Sequence, residues 1–84
     1  MPYYVYIVLC EDGSFYTGYT KNLEKRMGLH KKGKGARYTR MHKPKKLIYY
    51  EIFEFRSDAM KRERSIKKLT HDEKLELMKN NVKL

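Results

Sequence analysis

The sequence contains no tryptophan, a single cysteine, and no apolar run long enough to cross a membrane. One cysteine excludes an internal disulfide and any zinc site built from several thiolates, and Cys10 is interpreted as a core thiol. The main apolar stretch, residues 3–10, has no basic segment before it and is followed by Glu11 and Asp12, which is not typical of a secretory signal. These absences predict a cytoplasmic protein with a reduced thiol and no membrane partner.

Length and composition predict one small folded unit. The chain has 84 residues, of which 40% are hydrophobic and 13% aromatic, so a core can form even though 36% of the residues are charged. A chain of this size buries only about 60% of the surface that its unfolded form exposes, and its core is therefore small. We predict a single domain spanning residues 1–84.

The formal net charge of +10 is concentrated in one third of the chain. Residues 21–46 hold eleven basic residues and one acid, Glu24, whereas the rest of the chain holds nine residues of each sign. Such a segment is typical of a site for a polyanion, most often nucleic acid. The alternative is a solvated face that only keeps the protein in solution. A membrane surface is disfavoured because no basic amphipathic helix with a bulky apolar face is present.

The pattern of residue types predicts three strands. Residues 3–10 are β-branched and aromatic on both alternating faces, which indicates a strand at the centre of its sheet. Residues 14–20 resume strand character after a turn signal, so the first two strands form a hairpin. Residues 47–55 form the third strand, after a basic loop over residues 36–46.

Capping residues predict three helices. Asn22 can cap a helix that runs to about Lys31, and Ser57 can cap a second helix that runs to about Leu69. Thr70 and Glu73 have the spacing of a capping box and open a short third helix that ends at Asn80 and Asn81. The order is β-β-α-β-α-α, an α+β domain with a small, mostly antiparallel sheet flanked by helices.

Two hairpin registers are compatible with the turn residues. A two-residue turn at Asp12 and Gly13 would place Tyr6 opposite Tyr19. A three-residue loop with Gly13 in a left-handed bulge would place Tyr6 opposite Gly18 instead, and would gather Tyr6 and Tyr16 on one face above that glycine.

The helices offer candidate chemical groups. Arg26 and His30 are four residues apart on the first helix and share a face, which suits a phosphate and a titrating imidazole or only a solvated basic face. At 100° per residue, Glu63 lies on the arc of the second helix that must pack against the sheet. A carboxylate there is costly unless it is paired or bound to a cation, so the alternatives are a salt bridge, a metal ligand and a catalytic acid or base.

The basic loop interleaves hydrogen-bond donors with an aromatic ring. This combination suits phosphate contacts and base stacking, although a mobile loop without a ligand would have the same composition. The residues predicted to bind nucleic acid are Lys32, Lys34, Arg37, Tyr38, Thr39 and Arg40.

Taken together, these residues resemble the GIY-YIG nuclease domain over essentially the whole chain. Tyr4-Val5-Tyr6 and Tyr16-Thr17-Gly18 stand in the places of the two triplets, and the similarity is closest to short, single-domain bacterial members. Tyr4, Val5 and Thr17 depart from the letters of the family name without removing a catalytic group. The pattern continues through Gly33–Thr39 and Arg62–Lys68, with Arg26, His30 and Glu63 at the expected places.

The resemblance implies a GIY-YIG endonuclease-like fold and hydrolysis of DNA phosphodiester bonds with one Mg²⁺ or Mn²⁺ ion. It implies that Tyr6 contacts or activates the attacking water and that Tyr16 helps to hold the phosphate. Arg26 would stabilise the phosphorane charge, His30 would assist the proton path, and Glu63 would bind the metal. Gly18 is the glycine of the second triplet, and Asn80 or Asn81 could add a further site residue. A nucleic-acid-binding module with this fold and little or no catalytic activity is the alternative.

Overall fold

The computed structural model describes residues 2–33 and 42–80, the last of them by its backbone alone. Three antiparallel strands form one sheet: β1 (Tyr3–Cys10), β2 (Phe15–Thr20) and β3 (Pro44–Phe53). Their order is β2-β1-β3, which confirms that the strand with two apolar faces is central.

The hairpin adopts the three-residue loop. Tyr6 lies opposite Gly18, and Leu9 lies opposite Phe15. The Cys10 amide donates to the Ser14 carbonyl at 2.9 Å, and Gly13 has a φ of 86°, a left-handed conformation that glycine adopts without steric cost. Of the two registers that the sequence left open, the one with a two-residue turn is therefore excluded.

Three helices complete the α+β domain: α1 (Leu23–Lys31), α2 (Arg56–Lys67) and α3 (His71–Asn80). Asn22 caps α1 as predicted, because its side chain accepts a hydrogen bond from the Lys25 amide at 3.0 Å. The capping box of α3 is also confirmed: Glu73 accepts from the Thr70 amide at 2.8 Å, and the Thr70 hydroxyl accepts from the Glu73 amide at 3.1 Å.

Two predicted boundaries are wrong. Ser57 does not cap α2, because the helix already begins at Arg56 and its N-cap residue, Phe55, makes no side-chain cap hydrogen bond. The third strand runs from Pro44 to Phe53 rather than from residue 47 to 55. Pro44 starts an edge strand, where a missing amide donor costs little, so residues 44–46 of the predicted basic loop are strand.

The two faces of the sheet are covered by different helices. Val5, Ile7 and Tyr49 pack with Ala59 and Ile66 of α2, and these five residues form the hydrophobic core. Tyr6 and Val8 point to the opposite face, where His30 of α1 reaches the ring of Tyr6. No helix in the described parts of the chain is long and apolar enough to cross a membrane.

Candidate active site

The site is built around a gap in β2. Gly18 lies directly opposite Tyr6, and a Cβ at Gly18 would stand 2.7 Å from the Tyr6 hydroxyl oxygen and 3.0 Å from Cε2 of Tyr16. The absence of a side chain at this position therefore lets two tyrosine rings converge above the strand. Their centroids are 6.2 Å apart.

The Tyr6 hydroxyl is shared by two side chains of α1. Tyr6 Oη lies 2.9 Å from Nε2 of His30 and 3.4 Å from Nε of Arg26. Arginine can only donate, so the phenolic oxygen accepts from Arg26 and its own proton is free to be donated to a neutral His30. One helical turn separates Arg26 from His30, which is why a single helix can supply both partners.

Burial controls the protonation of this pair. Tyr6 has no exposed surface, and burial raises its pKa to about 12, with the charges of Tyr16 and Glu63 acting in the same direction and Arg26 opposing them. Arg26 lowers this pKa, but desolvation outweighs the cation. Burial, and then the charge of Arg26, lower the pKa of His30. At neutral pH the pair is thus a phenol and a neutral imidazole.

Tyr16 completes the group. Its ring makes an edge contact with His30 at 5.3 Å between centroids, and the hydrogen bonds that Arg26 donates, chiefly to Tyr6 and also to Tyr16, raise the pKa of Arg26. Tyr6, Tyr16, Arg26 and His30 therefore converge on one face of the sheet, and we call them the Tyr6 cluster. A cleft lined partly by His30, Lys31 and Lys46 adjoins the cluster and gives it a basic border.

Glu63 lies on the inner side of α2, as its helical position predicts. It falls between the buried residues Ala59 and Ile66, and its side chain is 17% exposed. Within the described residues its one ion pair is with Lys67, at 3.8 Å, which is too long for a hydrogen bond. Glu63 forms no salt bridge with an arginine of residues 2–33 or 42–79: its neighbour Arg62 pairs with Glu51 at 3.0 Å.

The donor set at Glu63 fits a weakly held hard cation. A carboxylate that is mostly buried and has only a loose ammonium partner retains oxygen lone pairs for a ligand. No group of three or more acidic, histidine or cysteine side chains that could hold a metal occurs in residues 2–33 and 42–79. One carboxylate suits Mg²⁺ or Mn²⁺, because Mg²⁺ keeps several waters and takes substrate phosphates as ligands.

The remaining predicted residues are only partly described. Lys32 is exposed at the C-cap of α1, next to the Tyr6 cluster in sequence. Asn80 is the last residue of α3, and nothing is described of its side chain. Lys34, Arg37, Tyr38, Thr39, Arg40 and Asn81 lie outside the described residues.

Sequence reasoning missed the contact between Lys67 and Glu63. Its signal was present, because a glutamate four residues before a lysine on a helix is a known pairing geometry. The loose pair places a half-exposed ammonium beside the carboxylate that the resemblance assigns to the metal.

Comparison with known proteins agrees with this geometry. The model of the GIY-YIG catalytic domain matches residues 2–76. A UPF0213 protein of Staphylococcus saprophyticus is 49% identical over 90% of this chain and 93% of its own length. A UPF0213 protein of Clostridium perfringens is 55% identical over 89% of this chain and 81% of its own length. The solution structure of a UPF0213 protein from Bacillus halodurans is 41% identical, with a TM-score of 0.63 over 96% of this chain and 86% of that one. The solution structure of a protein from E. faecalis is 44% identical, with a TM-score of 0.66 over 95% of this chain and 85% of that one. The chain belongs to the GIY-YIG family.

Proposed function

We propose that this protein is a divalent-metal-dependent endonuclease that hydrolyses phosphodiester bonds in DNA. The observation that carries the proposal is the hydrogen-bonded arrangement of Tyr6, His30 and Arg26 on one face of the sheet. It supplies a proton acceptor, a proton relay and a cation within one group of contacts, beside a segment that carries the whole charge excess of the chain.

Tyr6 and His30 act as a relay. A phenol with a pKa of about 12 is a poor base by itself at neutral pH. When the attacking water gives its proton to the Tyr6 oxygen, the phenolic proton passes to Nε2 of His30, so that no free phenolate has to form. His30 is held neutral by burial and by Arg26, which keeps this nitrogen available as an acceptor.

Arg26 stabilises the charge of the transition state. Its guanidinium is held at the Tyr6 oxygen, next to the position where water attacks, and it stays protonated at all relevant pH values. Preorganised cations at developing charge act most strongly where water is excluded. Tyr16 borders the same space and can donate its hydroxyl to a non-bridging phosphate oxygen.

Glu63 would hold the metal ion. A bound divalent cation stabilises negative charge on the phosphate and on the leaving oxygen. The charge of Glu63 contributes to the raised pKa of Tyr6, which supports an electrostatic connection between α2 and the Tyr6 cluster. The domain as a whole, residues 1–84, is proposed to be one catalytic unit.

The test is Glu63→Gln, with Glu76→Gln on the exposed part of α3 as a control that makes the same chemical change. We expect Glu63→Gln to lose most Mn²⁺ binding in calorimetry and to reduce Mn²⁺-dependent DNA cleavage by about two orders of magnitude or more. The melting temperature should change little, because glutamine keeps the shape of the side chain and the pair with the half-exposed Lys67 is loose, at 3.8 Å.

Each other outcome has a definite meaning. Unchanged cleavage in Glu63→Gln would remove the metal role. A large drop in melting temperature would show that the carboxylate is structural. A folded wild type that binds DNA but cleaves no single-stranded, duplex, nicked or branched substrate would favour the non-catalytic binding module instead.

A further inference from the structure

The chain after residue 46 holds nine basic and seven acidic residues, and those on α2 are not evenly distributed around the helix. Two hydrogen-bonded pairs show how α2 is oriented over the sheet. Arg56 donates to the Tyr19 hydroxyl of β2 at 3.2 Å, whereas Arg62 donates to the Glu51 carboxylate of β3 at 3.0–3.1 Å. One side of the helix therefore faces the β2 edge of the sheet and the other side faces the β3 edge.

Three of the five basic residues of α2 lie towards the β2 side. At 100° per residue, Glu63 and Lys67 lie within about 20° of Arg56, and Arg64 lies about 80° from it. Asp58 is the only other acid on α2, and it lies about 160° from Arg56, on the far side. We call the exposed residues Arg56, Arg64 and Lys67 the α2 stripe; it borders the position of Glu63.

The α2 stripe extends towards Lys21, the first residue of the basic segment over residues 21–46. The Arg56 guanidinium lies 6.0 Å from the ring centroid of Tyr19, and the Lys21 ammonium lies 5.8 Å from that of Tyr3. Tyr3 also contributes to the raised pKa of Arg56, so the two aromatic–cation pairs are neighbours. Since Lys21 opens the basic segment over residues 21–46, positive charge follows the outer side of β2 from α1 to α2.

We propose that the α2 stripe is a second phosphate-binding surface, and that the nucleic-acid backbone is held on both sides of the Tyr6 cluster. The inference rests on the proposed function in assuming a nucleic-acid ligand. Contacts to phosphates fix the register of a strand without reading its sequence. Two such surfaces, one on α1 and one on α2, position the scissile phosphate between Arg26 and Glu63.

The side chains of the α2 stripe are exposed enough to contact phosphates. Arg64 has no hydrogen bond or ion pair among the described residues. Lys67 is half exposed, and its long contact with Glu63 leaves the ammonium able to reach a phosphate. Arg56 is held at one end by Tyr19 and projects its remaining donors outward. Arginine is also well suited to bidentate contacts with phosphate.

The experiment measures the salt dependence of binding to a short fluorescent DNA duplex, in EDTA so that nothing is cleaved. The variant is Arg56→Gln with Arg64→Gln. The control is Lys61→Gln with Lys79→Gln, which removes two exposed charges elsewhere on α2 and on α3. We expect the slope of log affinity against log salt to become shallower by about 1.8 in the variant and to stay unchanged in the control.

The following results would overturn the proposal. A folded variant with the wild-type slope would do so, and so would equal losses in the variant and the control, since the charges would then act only through net charge. If the double variant is unstable in a thermal melt, Arg64→Gln alone must still reduce the slope by about 0.9. A wild type that does not bind DNA at low salt would overturn this proposal and the proposed function together. If the wild type binds DNA and the variant binds it with the same salt dependence, only the phosphate-binding role of the α2 stripe is refuted, and the proposed function still stands.

Discussion

The two faces of the sheet use alternate residues of the same strands but are stabilised in different ways. On the face covered by α2, the contacts of Val5 and Ile7 with Ala59 and Ile66 are apolar. On the face covered by α1, the equally buried Tyr6 and His30 are joined by a hydrogen bond beneath a guanidinium. Neighbouring residues of β1 point to opposite faces, so Val5 and Ile7 pack in the core whereas Tyr6, between them, belongs to the Tyr6 cluster.

This difference predicts how each face responds to change. An apolar face loses stability in proportion to the volume removed, whatever the chemistry nearby. A buried polar face is sensitive to position, because a displaced partner leaves a desolvated donor or acceptor behind. Stability and chemistry should therefore be separable by mutations on opposite sides of one strand.

The largest effect on stability is expected at Ile66. Ile66→Ala empties a fully buried position against β1 and should lower the free energy of unfolding by about 2–5 kcal/mol. Ile52→Ala makes the same change at a residue that is 59% exposed, and should cost well under ~2 kcal/mol. Denaturant unfolding measures both. Under conditions where Ile66→Ala stays folded, its Tyr6–His30 pair should keep the wild-type His30 pKa by NMR; a shifted pKa would mean that the faces are coupled.

On the opposite face, Gly18→Ala should separate chemistry from stability. The new Cβ would stand 2.9 Å from Cζ of Tyr6, and this ring has no room to withdraw. We expect a cost of about 1–3 kcal/mol, an upward shift of the His30 pKa as its buried partner moves, and loss of DNA cleavage. Gly28→Ala in α1 is the control, because a Cβ there meets nothing within 4 Å; it should gain about 0.5–1 kcal/mol. Wild-type cleavage in Gly18→Ala would contradict the role of the gap.

The polar face was the more predictable of the two from sequence. The strand pattern, the glycine at position 18 and the four-residue spacing of Arg26 and His30 were sufficient to bring the Tyr6 cluster together, once the three-residue turn was preferred. Helical periodicity likewise placed Glu63 on the inner side of α2. These features depend on local geometry, which a sequence encodes directly.

Features that depend on residues far apart in the sequence were less predictable. No local signal weighs the burial of Tyr6 against the charge of Arg26, so the sequence does not show that the net shift of the Tyr6 pKa is upward. The start of β3 at Pro44 depends on pairing with Cys10, more than thirty residues earlier. Which side of α2 faces β2 is known only from the structure, because the hydrogen bonds of α2 to Tyr19 and Glu51 define the orientation of the helix over the sheet.

A smaller effect is expected from pH. The pKa of His30 is lowered in the folded protein from its ordinary value of 6.5, so on acidification the unfolded chain binds this proton first. The free energy of unfolding should then fall as pH drops below about 6.5, by at most about 1.4 kcal/mol per pH unit for one site. Above pH 7 the group is neutral in both states and contributes nothing. His30→Gln, compared with wild type by urea unfolding at pH 7 and below, should show a flatter dependence; parallel curves would mean that His30 does not titrate as described.

The smallest effect is expected from a buried threonine on the face covered by α2. Thr17 is 2% exposed, lies opposite Ile7, and its hydroxyl has no hydrogen-bond partner in the described residues. A buried hydroxyl without a partner costs stability, and replacing it by a methyl group of similar shape removes that cost. Thr17→Val should therefore raise the free energy of unfolding by about 1 kcal/mol and leave the His30 pKa and DNA cleavage unchanged, because the side chain points away from the Tyr6 cluster. Thr20→Val, at a partly exposed hydroxyl that contacts the Asn22 backbone at 3.2–3.3 Å, is the control and should give no gain. Destabilisation by Thr17→Val would show that the hydroxyl serves the fold, and the contrast between an apolar and a polar face of the sheet would then have to be drawn less sharply.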